Sequence, residues 1–232
     1  MSTAQPKGAL AEALSMVPGM LGALARTRRA MREGSPRLPY KLECFLTWRC
    51  SSRCGSCHIW RRPTGIERDA GAWAATVRSA GPGLQWLSVT GGEVSQREDL
   101  GEVLTRCLAA APGLRYLNLS SNGLHGARLE TALEQSLRVG TRVRVRVTLS
   151  LDGVGDRHDA TRGVPDGFLR VLDSAARLKR LSQHYPALAF TFQCTLSAEN
   201  AGEWPRVARL ARRLSVGLSP VFSPASEGAL LG

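Results

Sequence analysis

The sequence predicts an α/β fold, an open partial (β/α)6 barrel built on a parallel sheet with helices outside. Three observations lead there. Residues 143–150 and 188–196 alternate aliphatic with polar side chains, the two-residue period of a strand with one face on a core. Stretches between such runs place apolar residues three and four apart, the spacing of a helix with one buried stripe. Strand and helix signals then repeat with short connections, which calls for parallel strands joined by crossover helices. About six units are present, short of the eight that close a TIM barrel, so the expectation is TIM-like and open.

Residues 1–38 precede the first strand and carry Lys7, Arg26, Arg28, Arg29 and Arg32 around an apolar stretch over residues 8–25. Lys7, the apolar run and Ala23-Leu24-Ala25 mimic the three regions of a signal peptide, but Glu12, Ser15 and Pro18-Gly19 interrupt the run. The reading is a basic N-terminal helical arm, broken near Pro18-Gly19. The barrel is then expected over residues 39–222, with 223–232 as a C-terminal tail. Strands fall at 41–47, 84–90, 116–121, 143–150, 188–196 and 216–222. Leu100, Val103, Leu104, Cys107 and Leu108 mark one helix, and Leu129, Leu133 and Leu137 another. Further helices run from Phe168 through Leu178 and over 204–214. In the fourth strand the valines face the helices, while Thr148 and Ser150 face the lumen; Arg144 and Arg146 share their phase and reach either the lumen or a helix or solvent at the start of the strand. In the fifth, Thr191, Gln193 and Thr195 take the lumen. Cys107 and Cys194 fall on apolar stripes and read as packing residues.

At 232 residues and 43% hydrophobic content, one sizeable globular domain is the default. No apolar run reaches the roughly 18 to 20 residues of a membrane span. Six cysteines with three clustered do not resemble a disulfide framework, so a reducing cytoplasm is the expected compartment. The formal charge of +12 invites a nucleic-acid partner. Only three of the 31 basic residues are lysines, however, and the arginines lie in separate short clusters with little aromatic interleaving. That pattern argues against RNA as substrate.

The chemistry concentrates in the loop after the first strand. Cys50, Cys54 and Cys57 stand at C-x3-C-x2-C spacing among Arg49, Ser51, Ser52, Arg53 and Ser56. Thiolates are soft ligands that suit iron–sulfur clusters and zinc, and three of them leave one metal position open to a non-protein ligand. Zinc could add His58, although adjacent Cys57 and His58 would need an unusual turn. Cys54 to His58 also fits the C-x-x-C-H pattern of c-type haem attachment, which leaves Cys50 unexplained and demands export. Three buried core thiols are the remaining reading, against which the polar neighbours speak. After the second strand, Gly91-Gly92-Glu93 offers backbone that can approach a ligand closely, with a carboxylate at the strand end.

C-x3-C-x2-C after a first strand and Gly91-Gly92-Glu93 after a second together resemble the radical S-adenosylmethionine (SAM) enzymes. The resemblance covers about residues 40 to 220 and implies an open partial barrel. It implies that Cys50, Cys54 and Cys57 hold three irons of a [4Fe–4S] cluster whose fourth iron is chelated by SAM. It places the SAM amino group at Gly91, Gly92 and Glu93. Ser150-Leu151-Asp152-Gly153 with Arg162 is similar to a pattern of the subgroup with peptide-modifying members, and it implies that Ser150 and Arg162 bind the SAM carboxylate. Ser120-Ser121-Asn122-Gly123 matches a segment whose polar side chains face SAM; alternation favours Ser120 over Ser121. Asp152 could touch substrate or ribose or serve only a turn, and His158 reads as a loop hydrogen-bonding residue.

Two departures matter. Ser56 stands where family members carry an aromatic residue against the adenine, leaving Ile59 or Trp60 to supply apolar contact. Many subgroup members also continue into a cysteine-rich auxiliary-cluster domain, whereas this sequence ends soon after Phe222 with only Cys107 and Cys194 downstream of the loop, so the expectation is either a minimal enzyme or a chain whose C-terminal part is missing. The resemblance implies reductive cleavage of SAM to a 5′-deoxyadenosyl radical that takes hydrogen from an unidentified peptide or small molecule. An external electron donor such as flavodoxin or ferredoxin would drive it. The alternative is a non-catalytic cluster- or SAM-binding protein.

Overall fold

The computed structural model describes residues 14, 17–22, 24, 25, 28, 29, 32, 33, 39–140 and 142–223. Six strands, β1 (Lys41–Phe45), β2 (Trp86–Thr90), β3 (Tyr116–Ser121), β4 (Arg144–Ser150), β5 (Leu188–Leu196) and β6 (Gly217–Phe222), form one sheet in chain order. Every neighbouring pair is parallel. Each connection must therefore cross back, and α1 (Ala70–Ser79), α2 (Leu100–Ala110), α3 (Gly126–Arg138), α5 (Gly167–His184) and α6 (Trp204–Leu214) do so. The short α4 (Asp156–Arg162) precedes α5. β1 and β6 are the two ends of the sheet, so the barrel is open.

Register sorts the two faces. Leu42, Leu87, Leu117, Val145 and Leu188 form one tier, and Cys44, Val89, Leu119, Val147 and Phe190 the next. Against these tiers the helices bury Val103, Leu104, Leu129, Leu133, Val171 and Leu178 at no more than 1% exposure. Each such leucine contributes about 2 kcal/mol by leaving water. The opposite face is polar: Ser120, Thr148 and Thr191 share a tier, as do Ser150, Gln193 and Ser219. At the bottom, Lys41 Nζ lies 4.9 Å from the centre of the Trp86 ring, which packs on Tyr116.

β1 ends two residues earlier than its sequence pattern suggests. Thr47 Oγ1 accepts a hydrogen bond from Arg49 N at 3.0 Å, a local turn that competes with the ladder and starts the cysteine loop. α1 escaped the sequence reading because its buried stripe is only Ala70, Ala74 and Val77. Its start is nonetheless capped, with Asp69 accepting from Ala72 N at 2.7 Å. α4 also escaped, since it is two turns long and framed by Gly155 and Gly163, both at positive φ.

The break expected at Pro18-Gly19 is absent: residues 17–22 are continuously helical. A Cβ on Gly19 would lie 2.3 Å from Gln85 Oε1, so this glycine allows close packing rather than a bend. Residues 1–13, Arg26, the residues around Pro36 and the tail from 224 onward lie outside the described residues. Among the described residues no helix is long and apolar enough to cross a membrane.

A candidate metal centre and ligand cavity

The cysteine loop is fastened at three places. On one side Gly92 N donates to Thr47 O and Glu93 N to Arg49 O, both at 2.7 Å. A Cβ on Gly91 would stand 2.4 Å from Thr47 O, and one on Gly92 2.1 Å from Arg49 O, while Gly91 has φ 137°. No other residue fits that contact. The two glycines thus set the end of β2 directly on the backbone of the loop. On the other side Asn122 Nδ2 donates to Ser51 Oγ (3.1 Å) and Ser52 Oγ (2.9 Å), and Arg53 N donates to Arg162 O at 2.7 Å. Outside, Glu67 accepts from Thr47 Oγ1, Arg49 and Arg97. The buried Arg97 guanidinium continues to Leu46 O, Arg68 O and Asp99. This clamp joins residues far apart in sequence, which is why no local pattern announced it.

Inside these anchors lies a cavity of about 320 Å³ at the C-terminal rim of the sheet. Cys50, Cys54, Cys57 and Ile59 line it from the loop, Thr90, Gly91 and Gly92 from β2, and Ser120, Ser121 and Asn122 from β3. Ser150, Asp152 and Arg162 close it from β4 and α4, and Gln193 and Thr195 from β5. Eight of the nine residues singled out in the sequence therefore meet on one cavity. Trp60 is not among its lining; Ile59 is.

Glu93 is the one that the cavity does not receive. Its side chain is fully buried, and its carboxylate accepts from Ser95 N (3.0 Å), Ser95 Oγ (2.5 Å), Ser121 Oγ (2.8 Å) and Asn122 N (2.6 Å). Those four donors meet the hydrogen-bonding demand that burial creates, and they draw the carboxylate under the cavity floor. The same contacts engage the Ser121 hydroxyl at the cavity wall, so that among the described residues the half-buried Ser120 is the β3 serine that Glu93 does not hold.

All three loop thiols are free, and none of the other cysteines reaches this side of the sheet. The three thiols lie on the wall of one cavity, and among the described residues no three His, Cys, Asp or Glu side chains are gathered as for a single metal ion. Burial raises the Cys50 and Cys54 pKa values, and the Arg162 guanidinium beside Cys54 opposes that rise. Such a donor set could hold a polynuclear centre by three corners.

Arg162 is held in turn. Its Nε lies 2.6 Å from Asp152 Oδ2, an ionic contact without hydrogen-bond alignment, and its Nη1 lies 3.8 Å from Cys54 Sγ. Asp152 Oδ1 accepts from Thr195 N at 2.7 Å, and Asp152 O accepts from Asn200 Nδ2 at 3.1 Å. Asp152 N donates to Nδ1 of His158, which sits in α4 rather than in a loop and is 1% exposed. Burial lowers the His158 pKa to about 4, with the Arg162 charge adding to the effect. Asp152 is thus the joint between the ends of β4 and β5 and the arginine. A larger depression of about 500 Å³, lined by His125, Arg128 and Arg170, lies elsewhere and holds no thiol.

The sequence model of the Radical SAM superfamily matches residues 45–211. The chain is 37% identical over 91 residues to the GTP 3′,8-cyclase of Stenotrophomonas maltophilia, covering 37% of this chain and 27% of that protein. It is 30% identical over 185 residues to the PqqA peptide cyclase of Methylorubrum populi, covering 76% of this chain and 44% of that one. The structure of Streptococcus suis SuiB bound to S-adenosylmethionine matches in fold with a TM-score of 0.64 at 13% identity, over 87% of this chain and 44% of that chain. The chain spans less than half the length of these relatives.

Proposed function

The chain belongs to the radical SAM superfamily, and on that premise we propose that its rim cavity binds the family's two cofactors, a [4Fe–4S] cluster and SAM, and cleaves SAM reductively. The observation that carries this reading is the meeting of three free thiols with a glycine turn, two serines and an arginine on one cavity. When bound, the reduced cluster supplies the electron that converts SAM to methionine and a 5′-deoxyadenosyl radical.

The residues of this chain have the following parts. Cys50, Cys54 and Cys57 would hold the cluster through their three thiolates, which would leave one iron without a protein ligand. The backbone at Gly91 and Gly92 with Thr90 would receive the ammonium of SAM, and Glu93 keeps that turn in register with the end of β3 from below. Arg162, aligned by Asp152, and Ser150 take the carboxylate; a guanidinium fork matches two oxygens at once. Ser120 reaches the ribose side, and Ile59 offers apolar surface to the adenine where Ser56 does not.

The polar lumen between Thr148, Thr191 and Gln193 would hold the substrate and orient it for hydrogen abstraction. A peptide is the substrate class we favour, because the match to a peptide cyclase runs over 76% of this chain. An external low-potential carrier such as flavodoxin or ferredoxin provides the electron, within a reducing cytoplasm.

Anaerobic reconstitution tests the reading. The expected result is about four irons and four sulfides per chain and SAM-dependent 5′-deoxyadenosine under strong reductant, both lost in Cys54→Ala. A variant lacking all three loop cysteines that still made 5′-deoxyadenosine would sink it. Cluster and SAM binding without turnover would leave the non-catalytic alternative.

A further inference from the structure

The cysteine loop carries a second feature on its outer side. From residue 44 through 66 there is no Asp or Glu, whereas Arg49, Arg53, Arg61 and Arg62 all fall there. Glu67 neutralises Arg49, but among the described residues Arg53, Arg61 and Arg62 have no carboxylate partner. Arg53 Nη1 donates to Cys50 O at 2.7 Å and to Ser52 O at 3.0 Å, neutral acceptors that leave its charge in place, and all three guanidinium groups lie against indoles. The Trp60 ring has the Arg53 guanidinium 5.2 Å from its centre and that of Arg61 at 4.7 Å, and Arg62 lies 5.3 Å from the Trp48 ring. Cation–π contacts of this kind hold guanidinium groups in place without cancelling their charge. Aromatic interleaving, faint in the sequence, is thus present in space. None of these arginines lines the cavity. Trp60 Nε1 donates to Cys54 O at 3.3 Å, so one indole runs from the cationic surface to the backbone of a cavity cysteine.

We infer that this arginine–tryptophan collar is the docking surface for an acidic one-electron carrier protein. The inference rests on the cluster reading above, since only a redox centre on the loop needs a donor against the loop's outside. Electron transfer weakens steeply with distance, so the donor must seat here rather than across the barrel. A patch of unpaired positive charge steers an acidic partner and suits a small, transient interface. The electron balance is simple: a flavin donor passes from anionic hydroquinone to neutral semiquinone, one electron arrives at the cysteine-held centre, and no proton moves or bond breaks. The position outside the cavity argues against a substrate peptide at this patch.

The test uses a purified acidic flavodoxin as probe and the variants R61E/R62E and R61Q/R62Q. Binding of oxidised flavodoxin is measured by calorimetry at low and high salt, alongside iron content. We expect affinity at low salt to fall about tenfold in R61E/R62E and less in R61Q/R62Q, with a flatter salt dependence in both. Flavodoxin-driven 5′-deoxyadenosine formation falls in step, while dithionite-driven formation stays within about twofold of wild type. Unchanged flavodoxin affinity in either variant overturns the inference, as does loss of affinity for an acidic peptide or duplex RNA with flavodoxin binding intact. If R61E/R62E fails to retain iron, the R61Q/R62Q comparison decides. Failure of the wild type to form 5′-deoxyadenosine with dithionite is a separate result and sinks the cluster reading instead.

Discussion

Cys50, Cys54 and Cys57 line a cavity at the open rim of the barrel, whereas Cys44, Cys107 and Cys194 are shut behind the sheet at no more than 3% exposure. Burial pushes the three core thiols up to about 11, 12 and 12 respectively, with almost nothing polar to offset it. Around the loop thiols the chain gathers serines, glycine backbone and an arginine. Residue type is the same in both sets, and strand phase separates them. Cys194 is next to Thr195, which lines the cavity, yet alternation along β5 turns the thiol to the helices. What makes a cysteine a ligand here is its place on a loop above the strand ends.

The sharpest way to break this comparison is to empty each set in turn. Replacing Cys50, Cys54 and Cys57 by Ala should abolish iron uptake and reduce 5′-deoxyadenosine formation by at least about a hundredfold. Replacing Cys44, Cys107 and Cys194 by Ala should leave iron near its full content and lower the melting temperature instead. Iron retained in the first protein, or lost from a folded second one, would erase the distinction.

A step smaller is the joint that couples the loop to the strands. Asp152→Asn keeps an acceptor for Thr195 N but leaves Arg162 without its counter-charge. Removing one partner of a buried pair costs about 3 kcal/mol or more, and the opening onto the cavity places this pair at the low end. Denaturant melts should show that loss. SAM affinity, measured on the reconstituted protein, should weaken about tenfold because the guanidinium fork is no longer aligned. Wild-type SAM affinity in a destabilised Asp152→Asn protein would confine Asp152 to a structural part.

Much of this arrangement was legible in the sequence. Strand alternation placed Ser120, Ser150, Gln193 and Thr195 in the lumen, and the cysteine spacing with Gly91-Gly92 located the rim. Hidden from it were contacts that no local period encodes. Glu93 turns inward because donors from β3, 28 and 29 residues away, are waiting for it. The glycines that looked like a ligand-binding turn are needed as much for the chain's own loop, whose carbonyls lie where a Cβ would be. α1 and α4 lacked an apolar stripe strong enough to show, and the Arg97 clamp spans 51 residues to Leu46 O.

His158 tests the same boundary from the core side with a milder perturbation. Its pKa is lowered from 6.5 to about 4, so the folded protein keeps it neutral where the unfolded chain would protonate it. Arg162 adds to that lowering and Asp152 opposes it. As pH falls from about 6.5 the unfolded state binds the extra proton, and stability drops until about pH 4, by about 3 kcal/mol in all. Between pH 7 and pH 4.5 the urea midpoint of wild type should fall further than that of His158→Gln, which lacks the imidazole's share of the loss. An identical acid slope in both proteins would remove His158 from the account.

The smallest effect belongs to a single core thiol. Cys107 lies on the buried stripe of α2, 2% exposed, and its sulfur is about as large as a methylene. Cys107→Ala should therefore cost about 1 kcal/mol, the transfer share plus a small cavity share. It should leave the rim untouched. Iodoacetamide at pH 8 sharpens the contrast in the apo protein: Cys57, the exposed member of the loop set, should react within the folded state. Cys107 should react only on unfolding, because a thiol held near 12 offers almost no thiolate and no path to the reagent. If Cys107 were alkylated at the rate of Cys57 with the fold intact, the sheet would not be the barrier that separates the two sets.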